Sequence, residues 1–245
     1  MARVEERIAD GRVLALLRAY LTAKVMEGLS EWTPEAGTPQ GAVISPLLAN
    51  VYLSPLDHLL AGAGLRMVRY ADDFVVLCRS REEAERALSL VRGWVQAEGL
   101  TLHPDKTRIV DSTQPGGFDF LGYHFERGRK WPRPKSMQKL RDTVRALTRR
   151  TNGRSLETLV ARLNPVLRGW FAYFKHSYKT TFPYLDGWVR RRLRAILCKR
   201  RHMRAWHMGE SHRRWPNAFF AKHGLFSLQA AHREACLALY CQVNH

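Results

Sequence analysis

Leu65-Arg66-Met67-Val68-Arg69-Tyr70-Ala71-Asp72-Asp73-Phe74-Val75-Val76-Leu77-Cys78 is the stretch on which the fold turns. Two short apolar runs, Leu65 to Tyr70 and Phe74 to Cys78, flank Ala71-Asp72-Asp73, a pattern that predicts a hairpin with acid at its tip. Adjacent carboxylates on an exposed turn are unfavourable unless a cation neutralises them. Mg²⁺ is the natural candidate, because it takes a few carboxylate oxygens and completes its shell with water and phosphate. Aspartate also favours turns through local hydrogen bonds, so the pair by itself carries both readings.

Outward from the hairpin, helix and strand signals alternate. Downstream, Ser80 is an N-cap before the acidic turn Glu82, Glu83 and Glu85, and a helix continues to Gly99 through Ala84, Leu88, Val91 and Val95. Strands are expected at Arg108 to Val110 and Phe118 to Phe125. Upstream, Ser45-Pro46 opens a helix through Leu47, Leu48, Val51, Tyr52 and Leu59. A loop rich in Gly and Pro precedes it, and residues 3–27 have helical spacing with a break at Asp10-Gly11. The class is α+β.

The charge divides the chain. Residues 1–125 hold 13 Lys+Arg and 16 Asp+Glu, residues 126–215 hold 25 and 5, and residues 216–245 hold 2 and 1, so the excess behind the overall +18 lies in 126–215. The cationic part also carries Trp131, Trp170, Trp188, Trp206 and Trp215. Basic side chains release counterions from phosphates and aromatic faces stack on unpaired bases, so the combination suits RNA. Leu156, Leu159, Val160, Leu163, Val166, Leu167, Trp170, Phe171 and Phe174 share one helical face, which Pro165 should split in two with Asn164 capping the second half. Phe182, Leu185, Trp188, Val189, Leu193 and Ile196 form another apolar face, with Arg190, Arg191, Arg192, Arg194, Lys199, Arg200 and Arg201 around the rest of that helix. The stretch 127–134, Gly-, Arg- and Pro-rich, reads as a linker between the halves.

Tyr70-Ala71-Asp72-Asp73 resembles the YADD box of reverse transcriptases, and Gly37-Thr38-Pro39-Gln40-Gly41-Ala42-Val43-Ile44-Ser45-Pro46-Leu47-Leu48-Ala49-Asn50 resembles their GTPQG-x-x-SPLLAN box. Gly99-Leu100-Thr101-Leu102 with Lys106-Thr107, and Phe118-Asp119-Phe120-Leu121-Gly122-Tyr123, similar to the primer-side FLG hairpin, follow in order. Leu163-Asn164-Pro165, Leu167-Arg168-Gly169-Trp170, Tyr173-Phe174, Phe182 and Leu185-Asp186 look like the maturase-specific thumb. The chain thus resembles the group II intron reverse transcriptase/maturase family.

The resemblance implies a partial right-hand polymerase palm over residues 1–126, the linker 127–134, a helical maturase thumb over 135–201 and a basic, helical tail over 202–245. It implies that Asp72 and Asp73 ligate catalytic Mg²⁺, that Lys106 stands near the leaving pyrophosphate, and that Gly37, Thr38, Pro39, Gln40, Gly41 and Tyr70 line the nucleotide and template pocket. Arg168, Lys175 and Lys179, with Arg190, Arg191, Arg192, Arg194, Lys199, Arg200 and Arg201, would meet RNA. The implied partners are group II intron RNA, an RNA template with a DNA primer, and deoxynucleoside triphosphates.

One expected element is not in this sequence. In this family another catalytic Asp comes from a strand upstream of the GTPQG box, and Met1-Ala2-Arg3-Val4 resembles the segment just after it. Two-metal phosphoryl transfer needs carboxylates from two places. An N-terminal piece acting in trans would be a further partner, and the competing expectations are a noncatalytic RNA-binding splicing factor or an inactive gene fragment.

The remaining features exclude function classes. The composition, 45% hydrophobic and 25% charged over 245 residues, supports a folded core and excludes disorder along the whole length. No apolar run is long enough for a membrane span and the charged N-terminus is unlike a signal peptide, so an intracellular, cytoplasmic protein is expected. Cys78, Cys198, Cys236 and Cys241 are too scattered for a disulfide scaffold. The spacing His232, Cys236, Cys241, His245 is explained better by a helix with Leu237, Leu239 and Tyr240 in the core than by zinc.

Overall fold

The computed structural model describes residues 1–23, 25–27, 30–32, 44–202 and 208–243. They form two compact units, 1–109 and 110–245.

The first unit begins with helices α1 (Ala2–Glu5) and α2 (Gly11–Leu21) and the paired strands β1 (Val25–Glu27) and β2 (Ser30–Trp32). The break expected at Asp10-Gly11 is present: Asp10 accepts from the backbone N–H groups of Arg12 and Val13 to cap α2. The helical spacing does not extend to Glu27, because residues 25–27 pair as a strand. Helix α3 (Ser45–Gly62) leads into β3 (Arg66–Tyr70) and β4 (Asp73–Leu77), and α4 (Arg81–Ala97) follows. Ile44, not Ser45, takes the cap position of α3, with Pro46 in its first turn. Ser80 caps α4 as expected, its hydroxyl accepting from Glu83 N–H at 3.2 Å.

Strand alternation decides what the hairpin buries. Met67, Phe74, Val76 and Cys78 pack on a core of Leu56, Leu60, Leu65, Ala87, Val91 and Val95. The other face, with Val68, Tyr70 and Leu77, is open. Residues 108–110, expected as a strand, are irregular.

The second unit opens with an antiparallel meander, β5 (Phe118–Phe120), β6 (Tyr123–Glu126) and β7 (Arg129–Pro132). The single strand that the pattern suggested over 118–125 is instead a hairpin, as the resemblance implied: Leu121 and Gly122 both take positive φ, 46° and 78°, as a two-residue turn requires. The expected linker 127–134 is structured too. Arg127 and Gly128 form a second such turn, and β7 pairs with β6 before Pro134 starts α5 (Pro134–Leu147).

Helices α6 (Leu156–Phe174) and α7 (Thr181–Arg200) complete the main bundle. Pro165 does not split α6. Its lost N–H removes one ladder bond, but Leu163 and Leu167 on either side are fully buried and hold the helix together. Asn164 caps nothing; its side chain instead donates to Gly224 O and accepts from Phe226 N–H, both at 2.8 Å.

The segment after α7, expected as a tail, belongs to the same core. Helices α8 (Met208–Arg214), α9 (Asn217–Lys222) and α10 (Leu228–Val243) follow, and Trp215, Phe220 and Leu228 are buried with Leu163, Phe182 and Leu193. Buried Asp186 of α7 clamps the start of α10, accepting from Ser227 Oγ at 2.7 Å, Leu228 N–H at 3.0 Å and Gln229 N–H at 3.1 Å. His232 stacks on Phe182 at 4.4 Å. Leu237, expected in the core, is exposed.

Candidate functional site

The acidic hairpin has the register Tyr70↔Asp73, so Ala71 and Asp72 form the turn and Asp73 opens β4. Asp72 and Asp73 are both exposed, and Ala71 sits at φ 55°, a left-handed conformation uncommon for a residue with a β-carbon. The turn is held from below by Arg69. Its Nε donates to Asp57 Oδ1 at 2.8 Å, its Nη2 to Asp57 Oδ2, and its Nη1 to Asn50 Oδ1 at 2.8 Å and to the Ala71 carbonyl at 3.0 Å. The Asp57 hydrogen bonds hold the Arg69 guanidinium above the usual arginine range against the opposing effect of burial.

Sequence reasoning passed over this anchor. Asn50 and Asp57 stand seven residues apart on α3 and so share a face, while Arg69 points from β3 to the same side as Met67, away from Tyr70. A polar pair at that interval opposite an inward strand arginine was the available signal.

The donor chemistry at the tip fits a hard divalent cation: two carboxylates, both open to solvent, on a turn fixed through its own backbone carbonyl. Among the described residues no group of three or more His, Cys, Asp or Glu side chains is placed to hold a metal. Lys106 is exposed within the turn closed by Thr107 N–H to His103 O at 3.0 Å. Tyr70 is 68% exposed beside Asp73. Gly37, Thr38, Pro39, Gln40 and Gly41 lie outside the described residues.

In the second unit the structure sorts the ten expected RNA-facing cations into two groups. Arg168, Lys175, Lys179, Arg191, Lys199 and Arg201 are exposed. The other four are engaged within the protein. Arg194 is buried, donating to Trp215 O and Asn217 Oδ1, both at 2.9 Å, and cannot face RNA. Arg192 donates to Thr148 Oγ1 at 3.1 Å and Thr148 O at 2.9 Å. Arg200 is exposed, but its Nη2 donates to the carbonyls of Asn152 and Arg154. Arg190 is half-buried with Nη1 3.9 Å from Asp186 Oδ2. The cause is geometric: α7 packs on α5, α6 and α10, leaving too little open circumference for every arginine.

The Leu121-Gly122 turn is fixed to α6 by reciprocal tyrosine bonds. Tyr123 Oη donates to Tyr173 O at 2.5 Å and Tyr173 Oη donates to Leu121 O at 2.8 Å. Burial, then the nearby Tyr173, raises the Tyr123 phenol above its ordinary pKa. Gly122 is required there: at φ 78° a β-carbon would stand 3.3 Å from Ser136 Oγ.

Comparison with known proteins bears on both units. Residues 5–125 match the family model described as reverse transcriptase (RNA-dependent DNA polymerase), and residues 137–215 match the maturase-specific domain of group II introns. Protein YkfC of Escherichia coli K12 is 30% identical over 165 residues, covering 53% of this chain and 42% of its own. The group II intron-encoded protein LtrA of Lactococcus lactis is 41% identical over 54 residues, 22% of this chain and 9% of that one. Maturase-like protein 1 of Euglena gracilis is 24% identical over 152 residues, 59% and 31% respectively. The chain therefore spans less than half the length of these relatives. With a reverse transcriptase match followed by a maturase-specific one, and relatives of both kinds, the chain belongs to the group II intron reverse transcriptase/maturase family.

Proposed function

We propose that this chain contributes the acidic palm hairpin and the maturase thumb of an RNA-directed DNA polymerase that also grips group II intron RNA in support of splicing and mobility. The observation that carries this reading is the exposed Asp72-Asp73 turn pinned through Ala71 O to Arg69 and Asp57, in a chain whose second unit is strongly cationic. Asp72 and Asp73 would hold Mg²⁺. When bound, Mg²⁺ activates the primer 3′-hydroxyl and neutralises triphosphate charge. Arg69 spares those carboxylates from pairing within the hairpin by taking Asp57 instead, and fixes the backbone that carries them. Lys106 offers an ammonium to the departing pyrophosphate, and Tyr70 and the segment Gly37 to Gly41 border the template and deoxynucleotide. Arg168, Lys175, Lys179, Arg191, Lys199 and Arg201 neutralise RNA phosphates.

A second reading, an RNA-binding splicing factor that does not polymerise, is favoured by the concentration of charge in 126–215. Primer extension on an RNA template separates the two. Because the hairpin supplies carboxylates from one place and the chemistry needs two, the chain alone is expected to extend primers little, and an upstream segment bearing a strand-borne Asp to restore extension. Asp72→Ala should then reduce it by at least about a hundredfold. Extension that survives Asp72→Ala would remove Asp72 from the metal site. RNA binding without any restored extension would leave the second reading.

A further inference from the structure

The loop joining α5 to α6 has the sequence Thr148-Arg149-Arg150-Thr151-Asn152-Gly153-Arg154-Ser155, and α6 adds Arg162 seven residues beyond its Ser155 cap, on the same helical side. Arg149, Arg154 and Arg162 line a cavity of about 430 Å³ together with Asn152. All three arginines are exposed, and no carboxylate of the described residues forms an ion pair with any of them. The two nearby acids are engaged elsewhere: Asp142 pairs with Arg145 at 2.8 Å, and Glu157 lies 3.6 Å from His223.

The loop is cross-braced by hydrogen bonds. Asn152 Nδ2 donates to Leu147 O at 3.0 Å and Asn152 Oδ1 accepts from Arg154 N–H at 3.1 Å. Arg192 takes Thr148 O, and Arg200 takes the carbonyls of Asn152 and Arg154. Three carbonyls of the loop, those of Thr148, Asn152 and Arg154, are thereby taken by guanidiniums of α7, while Arg149, Arg154 and Arg162 line the cavity. Like charge presses on this arrangement: after burial, the neighbouring Arg145 and Arg150 lower the Arg192 pKa from its usual value. A cavity lined by three arginines that form no ion pair with a described carboxylate, beside a loop whose Thr148, Asn152 and Arg154 carbonyls are already taken, is complementary to a tetrahedral anion, to which Arg offers a planar fork.

We propose that the α5–α6 loop is a phosphate clamp in which Arg149, Arg154 and Arg162 take a backbone phosphodiester of structured RNA, with Arg192 and Arg200 as positioning residues. The proposal rests on the RNA-binding reading above and assigns it a site that the periodicity of α7 does not indicate.

The test uses the full chain, a fluorescein-labelled RNA stem-loop, and anisotropy across a salt series. The triple variant Arg149→Gln, Arg154→Gln, Arg162→Gln should reduce the slope of log affinity against log salt by roughly 2 to 3, one phosphate contact per arginine, with the thermal midpoint unchanged. The equal-charge control Arg213→Gln, Lys222→Gln, Arg233→Gln should change that slope by less than about 1. If the triple variant loses its fold, each single substitution should still lower the slope by about 0.7 to 0.9. A control as damaging as the triple variant would overturn the site and leave RNA binding standing. A wild-type chain with no salt-dependent RNA binding would overturn both. Displacement of the RNA by millimolar inorganic phosphate, beyond the effect of chloride at equal ionic strength, would reassign the clamp to a free anion.

Discussion

Asp186→Ala is expected to detach the last helix from the cationic unit. The carboxylate is 4% exposed and accepts from Ser227 Oγ, Leu228 N–H and Gln229 N–H at 2.7 to 3.1 Å. It therefore caps α10 from a helix forty residues away. Leu228 is fully buried, so water cannot take over at its N–H. Loss of an ordinary cap costs about 0.5–2 kcal/mol, and hydrogen bonds to a charged group contribute about 1.5–3 kcal/mol each. These overlap, and Arg190, 3.9 Å from the same carboxylate, also loses its counter-charge, which brings the expected cost to about 3–4 kcal/mol. In a unit of this size that lowers the unfolding midpoint by roughly 10 °C. Calorimetry gives the global number, and hydrogen exchange over 228–243 gives the local one. Ser227→Ala, which removes one of the three bonds and also the hydroxyl that accepts from Ala230 N–H at 3.2 Å, should cost about 1–2 kcal/mol. A midpoint within about 2 °C of wild type for Asp186→Ala, with α10 protected as before, would refute the reasoning and place the stability of α10 in Leu228 and Phe220 packing alone.

Three further outcomes are expected. Arg69→Met should speed backbone exchange of residues 66–77 by roughly thirtyfold or more, a loss of about 2 kcal/mol, while Met67, Phe74 and Val76 keep the hairpin on its core; unchanged exchange would remove Arg69 as the anchor. Arg194→Met should destabilise the second unit without altering the salt dependence of RNA binding, whereas Arg191→Gln, Lys199→Gln and Arg201→Gln together should flatten that dependence without lowering the melting midpoint. Burial against Phe182 lowers the His232 pKa below its ordinary 6.5, so the neutral ring is the form the fold favours. The unfolded chain then binds the proton more readily, so this stability is fully present above about pH 6.5 and is lost as pH falls through the depressed value. His232→Phe should remove that part of the acid sensitivity in pH-dependent melting.

What the sequence displays is mostly local. The Ser80 cap, the acidic hairpin tip and the apolar stripes of α6 and α7 each depend on residues within a few positions, and each is where the spacing puts it. The failures involve partners far along the chain. Arg194 sits in a run of arginines and looks like its neighbours until Trp215 O and Asn217 Oδ1 arrive beside it. Asn164 precedes Pro165 and so looks like a cap, yet its amide is used by Gly224 and Phe226. By pattern Phe118 to Phe125 is apolar enough for one strand; the resemblance to the FLG hairpin already implied a reversal, and the positive φ values at Leu121 and Gly122 make it. Within the candidate site, the acids were legible because Asp-Asp at a tip is chemically conspicuous. Arg69 was not, because its facing follows from alternation only once β3 is placed, and its partners Asn50 and Asp57 lie on a helix 12 to 19 residues upstream.

The interleaving of Trp215, Phe220 and Leu228 with helices α5 to α7 also sets a timetable for synthesis. A ribosome adding about 5–20 residues per second needs roughly 4 to 18 s to pass from Leu140 to Leu228. Throughout that interval the arginine-rich helices are already outside or emerging without the apolar surface that completes their core. The first unit, whose core closes with Val95 and Leu102, has no such wait. The nascent chain thus carries a hairpin module with a completed core ahead of a cationic segment whose apolar faces still wait for Trp215, Phe220 and Leu228.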